Sequence, residues 1–273
     1  TAKEYEEEIK AVAKGLIASG ISFGDRVAIM AKTRYEWTVL DFAIWYAGAV
    51  PVPIYETSSA EQVEWILTDS AAVAIVVETP ALAELVQPVL PSTCNKVWNI
   101  TYNALATLTH EGKDVSEDEI ANRRERLKPE TLATLIYTSG TTGTPKGVMI
   151  SNSSVAQALN LARKIAYLDT PKTRFISYLP LCHIAERNIV EFACIAAGGT
   201  IYFVENLSTF KENLHRANPT HFLAVPRIWS KFQEGILEKI GGQKKLDLLL
   251  SIPFLNQIIK KKIKKSRLFV TTL

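Results

Sequence analysis

Hydroxyl residues, glycines and one lysine crowd a single short stretch of the chain. Residues 136–148 read IYTSGTTGTPKGV, and they overlap an apolar run at 132–138 that predicts a buried strand. Glycines let backbone amides approach a ligand closely, and serine and threonine hydroxyls add further donors. Lys146 adds a compact positive charge. The stretch therefore predicts a loop that binds the phosphate groups of a polyphosphate.

Two other interpretations fit this stretch less well. The Walker phosphate loop needs a glycine, four residues and then Gly-Lys-Ser/Thr, but Gly140 and Gly143 are too close together and Gly147 follows Lys146. Glycine, serine and threonine also dominate ordinary turns. The length and order of the run after an apolar strand favour the phosphate-binding interpretation.

A second candidate segment is YLPLCHIAER at residues 178–187, with His183 near its centre. A lone histidine after an apolar strand is more often a hydrogen-bonded core residue. Cys182 beside it could suggest a metal site, but no second pair of ligands has zinc-like spacing, so the metal ligands stay unknown.

The elements that would position these segments alternate between strand and helix. Continuous apolar runs predict strands covered on both faces, and apolar residues at helical spacing predict the helices between them. Such alternation predicts an α/β fold of mainly parallel sheets flanked by helices. The predicted strands are 25–31, 72–77, 96–100, 132–138, 147–150, 174–179, 200–204 and 221–225, and the main helices are 5–17, 35–48, 61–68, 82–90, 117–127, 184–197, 207–217 and 228–240.

The polar stretch 110–119 is the best candidate linker. We therefore expect a first α/β subdomain at 1–112 and a second at 113–273, which carries the loop at 136–148. The chain starts in a helical pattern without a methionine and stops in an apparent strand, so both ends look cut.

Composition limits the classes of function. With 47% hydrophobic residues the chain can bury a core, and 31 basic against 28 acidic residues give no sign of a nucleic-acid partner. Three cysteines without paired spacing indicate reduced core thiols in a cytoplasmic protein. No stretch has the length or pattern of a membrane span or a signal peptide. The lysines of the basic stretch 260–267 could instead contact the inner membrane face, or form the solvated face of a packed helix.

The loop at 136–148 resembles the signature loop of the adenylate-forming (AMP-binding) superfamily, which includes acyl-CoA synthetases and the adenylation domains of peptide synthetases. The resemblance implies ATP, magnesium and CoA as cofactors or cosubstrates. It implies catalytic roles for Lys146 and for His183, whose segment is similar to the family's motif on the acid-binding side. It also implies contacts with the ATP phosphates for Thr138, Ser139, Gly140, Thr141, Thr142, Gly143 and Lys146.

Residues 24–67 are similar to the front half of bacterial long-chain fatty acid:CoA ligases. This resemblance implies an N-terminal portion of such an enzyme, an incomplete domain without the downstream part or the C-terminal domain, which by itself we expect to be inactive. It favours a fatty acid substrate, with Trp37, Trp45 and Trp65 mainly as core residues. Acyl chain length and oligomeric state stay open. An adenylation domain that loads an amino or aryl acid onto a carrier protein, and a noncatalytic nucleotide- or lipid-binding remnant, are the alternatives.

Overall fold

The computed structural model describes residues 1–138, 144–166, 168, 172–206, 208–252 and 256–257. The predicted phosphate contacts Ser139 to Gly143 and the basic stretch 260–267 lie outside the described residues. Within the described ranges, no helix is both long and apolar enough to cross a membrane.

Residues 1–125 build a four-stranded parallel sheet with helices packed on it. The strands lie in the order β2 (Val50–Ile54), β1 (Arg26–Met30), β3 (Ala72–Val77) and β4 (Lys96–Asn99). Apolar clusters cover both faces of the sheet. Thr1 and Ser59 are the N-caps of two of these helices, and each forms a capping box with the residue three positions later. The elements are α1 (Ala2–Ala18), β1 (Arg26–Met30), α2 (Tyr35–Tyr46), β2 (Val50–Ile54), α3 (Ala60–Asp69), β3 (Ala72–Val77), α4 (Pro80–Val86), β4 (Lys96–Asn99), α5 (Ala104–Glu111) and α6 (Glu117–Glu125).

Strand β2 was not predicted, because Pro51 and Pro53 argue against a strand. Proline lacks the N–H that a central strand needs for its ladder, but an edge strand tolerates it. Among the described strands, β2 lies at the edge of this sheet and pairs with β1, with Pro51 opposite Val27 and Pro53 opposite Ile29.

The expected linker at 110–119 contains α5's end, a 3₁₀ turn at Gly112–Asp114 and the start of α6. The turn packs closely on α1, since a Cβ on Gly112 would lie 2.4 Å from the Gly15 nitrogen. The subdomain division at 112/113 stays a prediction.

The second half begins with an antiparallel hairpin and continues with a parallel strand pair, β7 (Arg174–Ser177) and β8 (Thr200–Phe203). The predicted helix 184–197 is largely a π-helix, Glu186–Phe192. The remaining elements are β5 (Leu132–Thr138), β6 (Lys146–Ser151), α7 (Asn152–Ala166), β7 (Arg174–Ser177), α8 (Ala193–Ala196), β8 (Thr200–Phe203), α9 (Phe210–Ala217), α10 (Pro226–Ile240) and α11 (Gln243–Ser251). Mainly parallel sheets flanked by helices confirm the predicted fold class.

The predicted strand at 221–225 was wrong. The amides of Thr220 and His221 both donate to the Arg174 carbonyl, which turns the chain away from a regular ladder beside β7. Phe222 then packs among Phe210 and other aromatic rings, and Pro226 begins a helix. The apolar residues of this stretch therefore serve packing rather than strand pairing.

Candidate functional site

The hairpin β5–β6 presents the two ends of the predicted phosphate loop. Residues 133–137 of β5 are buried, whereas Thr138 at its end is exposed. Lys146 begins β6, is exposed, and lies opposite Thr138 in the register of the hairpin. The structure therefore places Thr138 and Lys146 together at the open end of a strand pair.

Helix α3 holds both strands of this hairpin. The Tyr137 hydroxyl donates to Asp69 Oδ2 at 2.6 Å, and the indole Nε1 of Trp65 donates to the Pro145 carbonyl at 2.9 Å. The expectation that Trp65 is mainly a core residue was wrong, since it is 42% exposed. Its contact was missed because nothing in the sequence reveals a partner 80 residues away.

His183 lies in the turn after β7, which several hydrogen bonds fix against the first sheet. The Thr33 hydroxyl donates to the Leu179 carbonyl at 2.6 Å, and the Cys182 thiol donates to the Ile54 carbonyl at 3.2 Å. Thr33 follows β1 and Ile54 ends β2. The turn therefore sits at the carboxyl ends of parallel strands, where α/β sheets commonly bind ligands.

The imidazole of His183 is exposed, so it is not the core histidine of the alternative reading. The amide of Ala185 donates to His183 Nδ1 at 3.2 Å. An accepting Nδ1 puts the ring proton of the neutral imidazole on Nε2. The exposed edge of the ring can therefore donate a hydrogen bond to an anionic group such as a carboxylate.

Cys182 beside it is buried, and burial raises the pKa of its thiol to about 12. A thiol with so high a pKa is a poor nucleophile and a poor metal ligand at neutral pH. Cys94 and Cys182 share this environment with Cys194, since all three are buried and free. The prediction of core thiols is confirmed.

A buried ionic network joins the histidine segment to the hairpin. Arg187 binds both carboxylate oxygens of Asp41, and it also donates to the Thr134 hydroxyl at 2.8 Å. Thr134 lies in β5, four residues before Thr138. Nothing in the sequence pattern predicts this link, although Arg187 connects the elements of the two motifs directly. Among the described residues, no hydrogen bond or ion pair joins Lys146 to His183 themselves.

Two further carboxyl groups lie on the π-helix. Glu186 Oε1 accepts from the Ser177 hydroxyl at 2.7 Å and from the Tyr178 amide at 3.2 Å, which ties the helix to the turn before His183. Burial raises the pKa of Glu186 to about 8. Burial also raises the pKa of Glu191 well above its usual range, and the nearby Asp41 adds to the rise. The raised pKa values favour the protonated form of both glutamates, and Asp41 is the carboxylate to which Arg187 donates.

Comparison with known proteins identifies the family. Residues 1–255 match the AMP-binding enzyme family. The long-chain-fatty-acid–CoA ligase FadD15 of Mycobacterium bovis is 41% identical over 239 residues, which cover 85% of this chain and 39% of that protein. The long-chain-fatty-acid–CoA ligase ACSBG2 of Xenopus laevis is 31% identical, over 85% of this chain and 34% of its own length. The matched part of the chain thus spans between one third and two fifths of the length of these two relatives.

Solved structures show the same fold. A long-chain-fatty-acid–CoA ligase from Archaeoglobus fulgidus superposes with a TM-score of 0.68 at 27% identity, covering 80% of this chain and 42% of that one. The N-terminal domain of FACL13 from Mycobacterium tuberculosis gives 0.69 at 22% identity, with 93% and 58% covered. The family match covers residues 1–255 and the solved structures share the fold, so this chain belongs to the AMP-binding enzyme family.

Proposed function

We propose that the protein containing this chain is an ATP-dependent ligase that converts a long-chain fatty acid to its acyl-CoA. The observation that carries the proposal is the 41% identity, over 85% of the chain, to a protein named as a long-chain-fatty-acid–CoA ligase. The exposed hairpin end at Lys146 supports it, because an ATP-dependent enzyme needs fixed donors for the triphosphate.

The reaction has two steps. The fatty acid carboxylate attacks the α phosphorus of ATP, and the bond from this phosphorus to the oxygen that bridges the α and β phosphates breaks. Pyrophosphate leaves, and the acyl adenylate remains. The CoA sulfur, after losing its proton, then attacks the acyl carbon, and AMP leaves. Magnesium would enter with ATP, bound to phosphate oxygens, which are the hard ligands it prefers.

The triphosphate contacts are proposed for Thr138 and Lys146, together with the segment from Ser139 to Gly143. Pyrophosphate gains charge as it leaves, and transfer at phosphorus leaves little for a protein base to do. A positive charge and hydroxyl donors near the β and γ phosphates would stabilise that change. Lys146 supports this role because its side chain is exposed beside Thr138 and forms no ion pair with any described residue.

His183 is proposed to contact the fatty acid carboxylate or the acyl adenylate. Its Nε2 carries the proton in the neutral ring and faces away from the Ala185 amide that fixes Nδ1. A donor held in this way can orient a carboxylate for attack without losing rotational freedom on binding. Some fatty acid ligases have a gating aromatic shortly after this histidine, whereas this chain has the buried pair Glu186 and Arg187.

The test is to supply the full-length protein with ATP, magnesium, CoA and a ladder of fatty acids, and to identify the acyl-CoA that forms. Pyrophosphate release that depends on a long-chain fatty acid supports the proposal. Release that depends instead on an amino or aryl acid would show an adenylation domain, and ATP binding without turnover would show a noncatalytic remnant. We also propose that residues 1–273 alone do not complete either step.

A cytoplasmic location and a peripheral membrane contact through residues 260–267 stay proposals. Cosedimentation of the protein with anionic vesicles at low and high salt tests the contact. Binding that falls with salt supports it, because screening weakens attraction between lysines and headgroups. Absence of binding at both salt concentrations would contradict it.

A further inference from the structure

One face of α3 contacts the hairpin on both sides of the predicted phosphate loop. Trp65 and Asp69 are four residues apart on this helix and therefore lie on the same face. Asp69 accepts from Tyr137, the residue before Thr138, and Trp65 donates to Pro145, the residue before Lys146. A single helix thus holds the strand that enters the loop and the strand that leaves it.

The helix is itself firmly placed. The capping box of Ser59 and Gln62 fixes its start, and Val63, Ile66 and Leu67 are buried against the sheet. Because its first turn is capped and its apolar face is buried, the helix has little freedom to shift. It is therefore a rigid support for whatever its exposed face binds.

Trp65 is 42% exposed, so its large ring gains less hydrophobic stabilisation than it would in the core. A hydrogen bond explains why it lies there. The indole N–H is a donor only, and it finds the Pro145 carbonyl at 2.9 Å. That carbonyl lies just beyond the last register pair of the hairpin, Thr138 with Lys146. The Trp65 side chain thus donates a hydrogen bond to the backbone one residue beyond the last pair of the hairpin.

We propose that Trp65 is a positioning residue for Lys146, a role that rests on the proposed function of Lys146 in binding the triphosphate. The carbonyl of Pro145 and the amide of Lys146 belong to one planar peptide group. Fixing this carbonyl therefore fixes the direction in which the Lys146 backbone leaves the turn. A lysine whose backbone is already oriented loses less freedom when its ammonium binds phosphate.

The variant Trp65→Phe keeps a ring on the helix face and removes the N–H. In the full-length protein we expect the KM for ATP to rise about two- to tenfold, as for the loss of one hydrogen bond. The KM for the fatty acid should stay within about twofold of wild type, and the melting temperature should fall only slightly. Trp98→Phe is the matched control, since Trp98 lies in β4 at the opposite edge of the first sheet and should change neither constant.

An unchanged KM for ATP in Trp65→Phe, or equal effects on both substrates together with a large fall in melting temperature, would overturn the positioning role. If the wild type releases no pyrophosphate with any acid, the proposed function is wrong. The positioning role of Trp65 is then tested separately, by calorimetric titration of the wild type and the two variants with magnesium ATP. Weaker ATP binding by Trp65→Phe than by Trp98→Phe would then support it. Equal affinity, or no binding by any of the three proteins, would overturn it.

Discussion

Replacing Arg187 by methionine should destabilise the protein more than any replacement of an exposed arginine. Arg187 and Asp41 are both fully buried, with side-chain exposures of 0% and 0%. Arg187 binds Asp41 through two nitrogens and Thr134 through a third. The variant Arg187→Met keeps an apolar stem of similar length but leaves a buried carboxylate and a hydroxyl without this donor.

The expected loss in the free energy of unfolding is about 3–5 kcal/mol, as for other buried ion pairs from which one partner is removed. At about 2–4 °C per kcal/mol, the melting temperature should fall by about 6–20 °C. Without Arg187 the pKa of Asp41 rises in the folded protein, so the loss should grow as pH rises above the usual pKa of an aspartate. Adding Asp41→Leu removes the unpaired charge and should recover part of the loss.

Denaturant titration followed by circular dichroism measures these differences, with Arg34→Met as the matched control. Arg34 pairs with Glu36 and Glu78 at the surface, where its side chain is 33% exposed. A half-buried pair that water still reaches contributes less than a pair from which water is fully excluded, because solvent screens it. If Arg187→Met costs no more than Arg34→Met, or if the double variant with Asp41→Leu is less stable than the single one, the buried pair does not have the role assigned to it.

Three further predictions follow from other sites. Burial raises the pKa of Glu186 in the folded protein to about 8, so between about pH 4.5 and 8 the folded state holds a proton that the unfolded state has lost. Stability should therefore fall as pH rises through that range, by about 1.4 kcal/mol per pH unit at most. Glu186→Gln should remove this slope in denaturant titrations, and an unchanged slope would contradict the assignment. Gly15→Ala should destabilise the folded protein by about 3 kcal/mol, because the new Cβ would lie 2.0 Å from the Leu108 carbonyl oxygen. Gly235→Ala is the control: its Cβ would meet nothing within 4 Å, so the helix should gain about 0.5–1 kcal/mol. Equal shifts of the two variants in thermal melts would contradict this packing. His183→Ala should lower kcat/KM for the fatty acid about tenfold or more while the KM for ATP changes little, and steady-state kinetics in which only the KM for ATP moves would place His183 elsewhere.

The two strands beside the predicted phosphate loop and three strands of the first sheet could be predicted because their signals are local, whereas the antiparallel pairing of β5 with β6 was not predicted. An apolar run followed by glycines, hydroxyls and Lys146 marks the end of β5 and the start of β6 without knowledge of any distant residue. Strand β2 was missed for an equally local reason, since Pro51 and Pro53 oppose a strand unless it lies at an edge. Which strand forms the edge is a property of the whole sheet.

The residues that link the motifs could not be predicted from the sequence. Arg187 and Asp41 are 146 residues apart, and neither pattern nor composition shows that they are partners. The π-helix Glu186–Phe192 looks like part of an ordinary amphipathic helix in the sequence. The position of Trp65 could not be predicted either. Its apolar ring predicts burial, but the side chain stays partly exposed and its N–H donates to Pro145.

The most direct test of the central claim, that the hairpin end at Lys146 binds nucleotide triphosphate, is calorimetric titration of the full-length protein with magnesium ATP and with AMP. Lys146→Ala should weaken ATP binding about ten- to a hundredfold, as for the loss of a charged hydrogen bond, and leave AMP binding within about twofold of wild type. Equal ATP affinity in the wild type and in Lys146→Ala would contradict the account.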